Sequence, residues 1–239
     1  MKNIFYTFIY VYKNELVAFI LFGMTTKTKL QASERHAAIS KRRSPSQERS
    51  RQRVERILDA ASTLLTSNSV DKLTTRRIAE VANVNIATLY QFYPNKEAII
   101  FALYEKWLDE TGSAFDRAEA EYLRSGTWRE FFDQLIDALA ATNTGVEVKD
   151  RLQKAMGMNE DLRQLDLLHG QRLADRMVNF LQILGAKLPL QELQNISMLL
   201  FHFERALVTP MANSDEEQKP LIYSRGKQSL LEVIGMAFK

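Results

Sequence analysis

Residues 74–96, TTRRIAEVANVNIATLYQFYPNK, gather hydroxyls, carboxamides and cations into one short span, with a tyrosine and a lysine toward its end. Such groups form hydrogen bonds to phosphate oxygens and base edges, so the chemistry on offer is recognition of DNA. Positioning them takes two short helices. Ile78, Ala79 and Ala82 make one apolar face, and Val84, Leu89 and Phe92 make a second after an interruption. Thr74 or Thr75 can cap the first helix and Asn85 the second, each accepting a bond from a backbone N–H that the helix leaves unpaired. Asn83 stands at the junction, and asparagine enters the left-handed backbone region at modest cost. The two helices therefore cross instead of continuing, which is a helix-turn-helix. In that geometry the second helix lies in the major groove with its N-terminal residues toward the bases, and the first spans the backbone. Ile86, Ala87, Thr88 and Gln91 become the candidate readers. Ile86 and Ala87 suit thymine methyls, while Gln91 can bond an adenine through two bonds or any base through one, which leaves its preference open.

The segment resembles the DNA-binding domain of the tetracycline-repressor (TetR/AcrR) family. The matching elements appear in order as Thr75-Arg76 with Ile78-Ala79, then Asn83-Val84, Leu89-Tyr90, Phe92 and Asn95-Lys96. By motif the resemblance covers roughly residues 50 to 105; beyond them it rests on length and helical character. Asn83 replaces the glycine usual at the family's turn, a chemically compatible change. The resemblance implies that Arg76 reaches a guanine edge or a phosphate, that Thr88 reaches a base methyl or a phosphate, and that Tyr90 and Lys96 clamp phosphates. Thr74, Thr75 and Asn85, at the helix starts, complete the implied DNA-facing set. Ile78, Leu89 and Phe92 are expected in the core, and Tyr93 is open between packing and contact.

Length and charge fit two units. A chain of 239 residues exceeds the common single-domain size and leaves well over a hundred residues after the reading unit. Residues 1–107 hold 17 Lys and Arg against 9 Asp and Glu, whereas residues 108–239 hold 15 against 20. The basic half suits counterion release from DNA, and the acidic half would be repelled by phosphates. There is no cysteine, which rules out disulfides, thiolate nucleophiles and cysteine zinc sites. The cytoplasm is the expected compartment.

The opening segment, MKNIFYTFIYVYKNELVAFILFG, is apolar but broken by Lys13, Asn14 and Glu15. A membrane-spanning helix needs about 20 apolar residues without a central charged pair, and a secretory signal needs a small-residue cleavage site. Neither is met, so a membrane partner is not expected. Met24 is the expected biological start, a reading that intact-mass analysis of the native protein tests; a membrane-attached regulator is the alternative. Residues 25–43 read as a basic arm that either follows DNA or is a solvated tail. Ser44-Pro45-Ser46-Gln47 supplies a cap, a first-turn proline and a capping-box glutamine for the first helix. Val54, Ile57, Leu58, Ala61, Leu64 and Leu65 mark that helix's buried stripe. Asn95 opens a fourth helix through Ile99, Ile100, Leu103 and Trp107.

Past residue 110 the chain reads as helical throughout, in segments at about 127–143, 146–156, 160–185, 189–211 and 216–238. The expected fold is all-α: an N-terminal three-helix DNA-binding domain with a helix-turn-helix, then a larger all-helical ligand-binding and dimerisation domain. The expected divisions are 1–43 for the extension and arm, 44–107 for the DNA-binding domain with its linking helix, and 108–239 for the body. Leu193, Ile196, Leu200, Phe203 and Leu207 form one late stripe, and Leu230, Leu231, Val233, Ile234, Ala237 and Phe238 form another. In the resembling family two such C-terminal helices from each subunit build a homodimer interface, and part of each stripe must serve the subunit's own core. The resemblance also implies a pocket for an unidentified small-molecule effector. Its candidates here are Phe115, Tyr122, Trp128, Phe131 and Phe132, with Met156, Met158, His169, Phe180 and His202.

No catalytic constellation is evident: the chain has no Gly-rich phosphate loop, no GxSxG elbow and no HExxH pair. His36 lies in the arm, and His169 and His202 stand 33 residues apart. No catalytic residue, metal site or cofactor is expected. The function expected is a dimeric, sequence-specific regulator, most naturally a repressor released from a palindromic double-stranded DNA operator by an effector. The alternatives are an architectural protein binding DNA without sequence preference, and a helical interaction protein that binds no DNA. Steep salt dependence without sequence discrimination marks the first, and absence of DNA affinity at moderate salt marks the second.

Overall fold

A computed structural model describes residues 48–122 and 126–239, and the side chain of Tyr122 is not among the described groups. The expected extension, Met24 start, basic arm and Ser44–Gln47 cap lie outside the described residues. The described chain forms helices without a strand: α1 Glu48–Ser67, α2 Thr75–Val81, α3 Ile86–Phe92, α4 Lys96–Tyr122, α5 Trp128–Ala140, α6 Val146–Met158, α7 Glu160–Ile183, α8 Leu190–Ala212 and α9 Gln218–Gly235. A 3-10 turn, Val70–Lys72, joins α1 to α2, and another, Met236–Phe238, follows α9. The body segments expected from periodicity correspond to α5 through α9, most ends falling within about three residues.

Helices α1 to α3 with the start of α4 form the head. Val54, Ile57, Ala61 and Leu65 of α1 face Ile78 and Ala79 of α2, Leu89 and Phe92 of α3, and Ile99, Ile100 and Leu103 of α4. Ile57, Ile78, Leu89 and Ile99 are fully buried, so helices too short to stand alone are held by what they bury. Tyr93 is also fully enclosed, which makes it a packing residue. The same core extends into the body through Val148, Leu152, Ala155 and Met156 of α6. Head and body are thus bound by a shared apolar cluster as well as by α4.

Helix α4 has 27 residues and runs without a break through residues 107 and 108, so the expected division falls inside one rod. Around it, α8 packs against α6, α7 and α9, and α5 packs against α4 and α9. Two close approaches set that spacing. A Cβ on Gly170 of α7 would come within 2.6 Å of the Phe201 ring, and one on Gly226 of α9 within 2.5 Å of Leu207. The late stripes turn mostly inward: Leu193, Ile196, Leu200, Leu230, Leu231 and Ile234 are buried in the body's own core, with Phe203, Leu207, Val233 and Phe238 packed against it. Leu190 and Leu199 on α8 and Leu221 on α9 are instead exposed.

Candidate nucleic-acid interface and internal cavity

The turn between α2 and α3 has the geometry that the sequence calls for. Thr74 caps α2, its side chain accepting from the Arg77 N–H at 3.2 Å, and Asn85 caps α3, accepting from the Ala87 N–H at 2.8 Å. Asn83 takes the left-handed conformation at φ 50°, and the Val84 N–H donates back to the Ala79 carbonyl at 3.0 Å. Of the two possible caps for α2, Thr74 serves, because its backbone is extended while Thr75 is already the first helical residue; the Thr75 hydroxyl lies 3.0 Å from the Tyr90 hydroxyl, tying the first helix to the second. Asn95 caps α4 by accepting from the Ala98 N–H at 2.8 Å.

All the candidate contacts are at least partly exposed. Ile86, Ala87, Tyr90 and Gln91 of α3 are exposed while Leu89 and Phe92 are buried, so the outward side of α3 is the side opposite the core. Thr75, Thr88 and Lys96 are half-buried, and Thr74, Arg76 and Asn85 are exposed. Arg77, exposed beside Arg76, is a further cation on this helix that the sequence reading did not single out. Its signal was present in the doubled arginine at an N-terminal turn.

The body encloses a cavity of about 230 Å³ between α4 to α9. Of the ten residues expected to line it, Phe115, Phe132 and His169 do so. Six of the others serve elsewhere for identifiable reasons. Phe131 and Phe180 are fully buried and pack edge-to-face at 5.0 Å behind the wall, and Trp128 stacks on Phe238 at 4.8 Å. Met156 is fully buried in the core that joins head and body. Met158 is 67 % exposed, and His202 is exposed against the Phe201 ring at 5.2 Å. The Tyr122 side chain lies outside the described groups.

The polar lining of the cavity comes mainly from residues the sequence did not flag: Tyr104, Lys149, Ser197, Glu204, Arg205 and Lys227. Arg205 pairs with Asp166 at 2.7 Å, and the Tyr104 hydroxyl donates to that same carboxylate, joining α4, α7 and α8. Lys227 pairs with Asp133 at 2.9 Å and Asp137 at 2.7 Å. Burial holds the His169 imidazole down at about 4, with Asp166 opposing and Arg172 and Arg205 reinforcing, so it is neutral near pH 7. Burial likewise lowers the Lys149 ammonium, against the pull of Glu204 and Glu110, and raises the Glu204 carboxyl, against Lys149 and Arg205. Among the described residues no cluster of His and carboxylates could hold a metal, and no helix is long and apolar enough to cross a membrane.

Comparison with known proteins bears on head and body separately. Residues 57–103 match the family described as "Bacterial regulatory proteins, tetR family". The uncharacterized HTH-type transcriptional regulator YvkB of Bacillus subtilis (strain 168) is 37 % identical over 67 residues, which are 28 % of this chain and 35 % of that protein. The match therefore spans about a third of that relative's length. A transcriptional regulator (TerR/AcrR family) from Aquifex aeolicus VF5 shares the fold with a TM-score of 0.58 at 16 % identity, over 76 % of this chain and 99 % of that one. A putative transcriptional regulator from Saccharomonospora viridis, solved in complex with choline, shares it with a TM-score of 0.59 at 17 % identity, over 76 % of this chain and 95 % of that one. The helix-turn-helix head thus matches the tetR family of bacterial regulatory proteins over residues 57–103, and the all-α fold of head and body together is shared with the two solved regulators.

Proposed function

We propose that the protein is a homodimeric, sequence-specific transcriptional regulator of the cytoplasm, and a repressor released from a palindromic operator by a small molecule. The observation that carries this reading is the continuity of α4. Lys96, implied as a phosphate clamp, opens the helix, and Tyr104, Trp107, Leu108, Thr111 and Phe115 of the same helix line the cavity. Thr111 stands 15 residues beyond Lys96, or about 22 Å along one rod at 1.5 Å per residue. A ligand that displaces the cavity end of this rod displaces the head.

Helix α6 offers a second route, because Lys149 lines the cavity while Val148 and Leu152 pack into the core shared with the head. Ligand and DNA would then oppose each other by equal factors, as linkage requires. The exposed Leu190, Leu199 and Leu221 on α8 and α9 support the dimer, since they leave apolar side chains outside the body's own core. A dimer sets two heads on one face of DNA and roughly doubles the phosphate contacts. The Saccharomonospora protein of this fold, solved in complex with choline, supports a small-molecule effector without naming that of this chain.

The test is selection of bound duplexes from a random pool at moderate salt, using the full chain. Recovery of a palindrome is expected. Binding without sequence enrichment would replace this reading with an architectural one, and absence of binding would remove DNA from the account.

A further inference from the structure

Among the cations lining the cavity, Lys149 is set apart. It is 6 % exposed, and among the described residues no carboxylate lies within ion-pair distance of it. Its ammonium donates one long bond, 3.4 Å to the Leu139 carbonyl, and lies 5.9 Å from the centre of the Trp107 ring. Arg205 and Lys227 each have carboxylate partners within 3 Å. Ser197, 1 % exposed, lines the same cavity, and its hydroxyl has no hydrogen-bond partner among the described residues. Most of the remaining wall is aliphatic and aromatic.

A buried ammonium with three donors and one long bond has lost hydration that the protein does not replace. An apolar ligand would leave it in that state. A cationic ligand would meet Lys149, and Glu204, the one carboxylate among the lining residues, already interacts with Lys149 and Arg205. A carboxylate supplies what is missing, through a short charge-assisted bond to the ammonium and a further acceptor for a hydroxyl. We propose that the cavity binds an organic acid, an aromatic or aliphatic body bearing one terminal carboxylate, with that carboxylate on the Lys149 ammonium. Glu204 is compatible with this, because burial already favours its neutral form, which can donate to a second carboxylate. The inference rests on the reading of this cavity as the effector site, and Lys149 stands on the helix that also packs into the head core.

Three probes with one body separate the ligand classes: 4-phenylbutyrate, 4-phenylbutan-1-ol and 4-phenylbutylamine, titrated calorimetrically into the full chain near pH 7.5. The carboxylate should bind about tenfold or more tighter than either companion. Lys149→Met should erase that preference, leaving the acid no better than the alcohol, and Ser197→Ala should weaken the acid severalfold. Should Lys149→Met not fold, the wild-type ranking of the three probes decides alone. The proposal is overturned if the amine or alcohol binds as tightly as the acid, if Lys149→Met keeps the preference, or if none of the three binds. Repeating the titrations on the protein bound to its selected duplex separates the two readings. Lys149-dependent binding of the acid without DNA release sustains this proposal and sinks the effector reading. Release by the amine or alcohol alone does the reverse.

Discussion

Head and body solve opposite packing problems. In the head the polar side chains point outward and the interior is apolar apart from tyrosine hydroxyls, so the face proposed to meet DNA is the solvent face of α3. In the body, polar groups turn inward, and the buried polar or charged residues among those described, Lys149, Asp150 and Ser197, all lie there. Asp150 is fully served, receiving Arg151 at 2.9 Å, Lys154 at 2.7 Å and the Thr209 hydroxyl at 2.8 Å. Lys149 and Ser197 are not, and both face the cavity. On the proposed function, a head built this way would recognise a partner by what it presents, and a body built this way by what it leaves unsatisfied.

The largest expected effect breaks the head alone. Leu89→Ala deletes a fully buried side chain at the meeting of α2 and α3 and should cost about 2–5 kcal/mol in chemical denaturation. DNA affinity should fall for every sequence alike, because the defect is in the scaffold. A loss confined to one base position would mean that Leu89 touches DNA.

Next comes an effect of the body's inward polarity. The His169 imidazole titrates at about 4 when folded and near 6.5 when unfolded. Between those values the folded state binds fewer protons, so stability rises with pH across that window. The contribution is present in full above pH ~6.5, and at most about 3 kcal/mol of it is lost as pH falls toward 4. Denaturation midpoints across this range should flatten in His169→Gln; an unchanged slope would show that other groups govern the acid limb.

Two substitutions sharpen the division of labour within the head. Gln91→Ala should change preference at one base-pair position by about 1–3 kcal/mol. Lys96→Ala should weaken all duplexes evenly and lower the salt slope by about 1. Anisotropy titrations at several salt concentrations distinguish these patterns, and an unaltered slope for Lys96→Ala would remove it from the phosphate clamp.

The smallest effect lies at the turn. Asn83→Val forces a β-branched residue to φ near 50° and should cost about 1–2 kcal/mol, whereas Asn83→Gly should stay within about 0.5 kcal/mol of the parent in thermal melts. Equal stability of the two variants would mean that the turn relaxes out of the left-handed region.

The head was legible because its determinants are local. A cap, a left-handed asparagine and two apolar faces fall within 23 residues, and the helix-turn-helix is dictated by their spacing. Even so, periodicity left the choice between Thr74 and Thr75 open, because both carry the same capping oxygen and only the backbone conformation decides between them. The body helices were legible as segments from their helical periodicity, and the structure adds a cap to the first of them in Thr127 and Glu130, whose side chains each bond the other's backbone N–H. The cavity was not. Its walls come from six helices, and an aromatic or methionine on a helical stripe has the same sequence signature whether it faces a cavity or a core. Phe132 lines the cavity and Phe131, one residue before it, packs behind; Lys149 resembles any surface lysine until α4 and α8 close over it.

On the proposed function, paired heads, each presenting the outer face of α3, read one side of a DNA duplex. Hydroxyl-radical footprinting of the full chain on its selected duplex tests this most directly. Two protected patches are expected on one face of the DNA, symmetric about the palindrome's centre and about one helical turn or somewhat more apart. A single patch, or protection with no phase along the duplex, would contradict it.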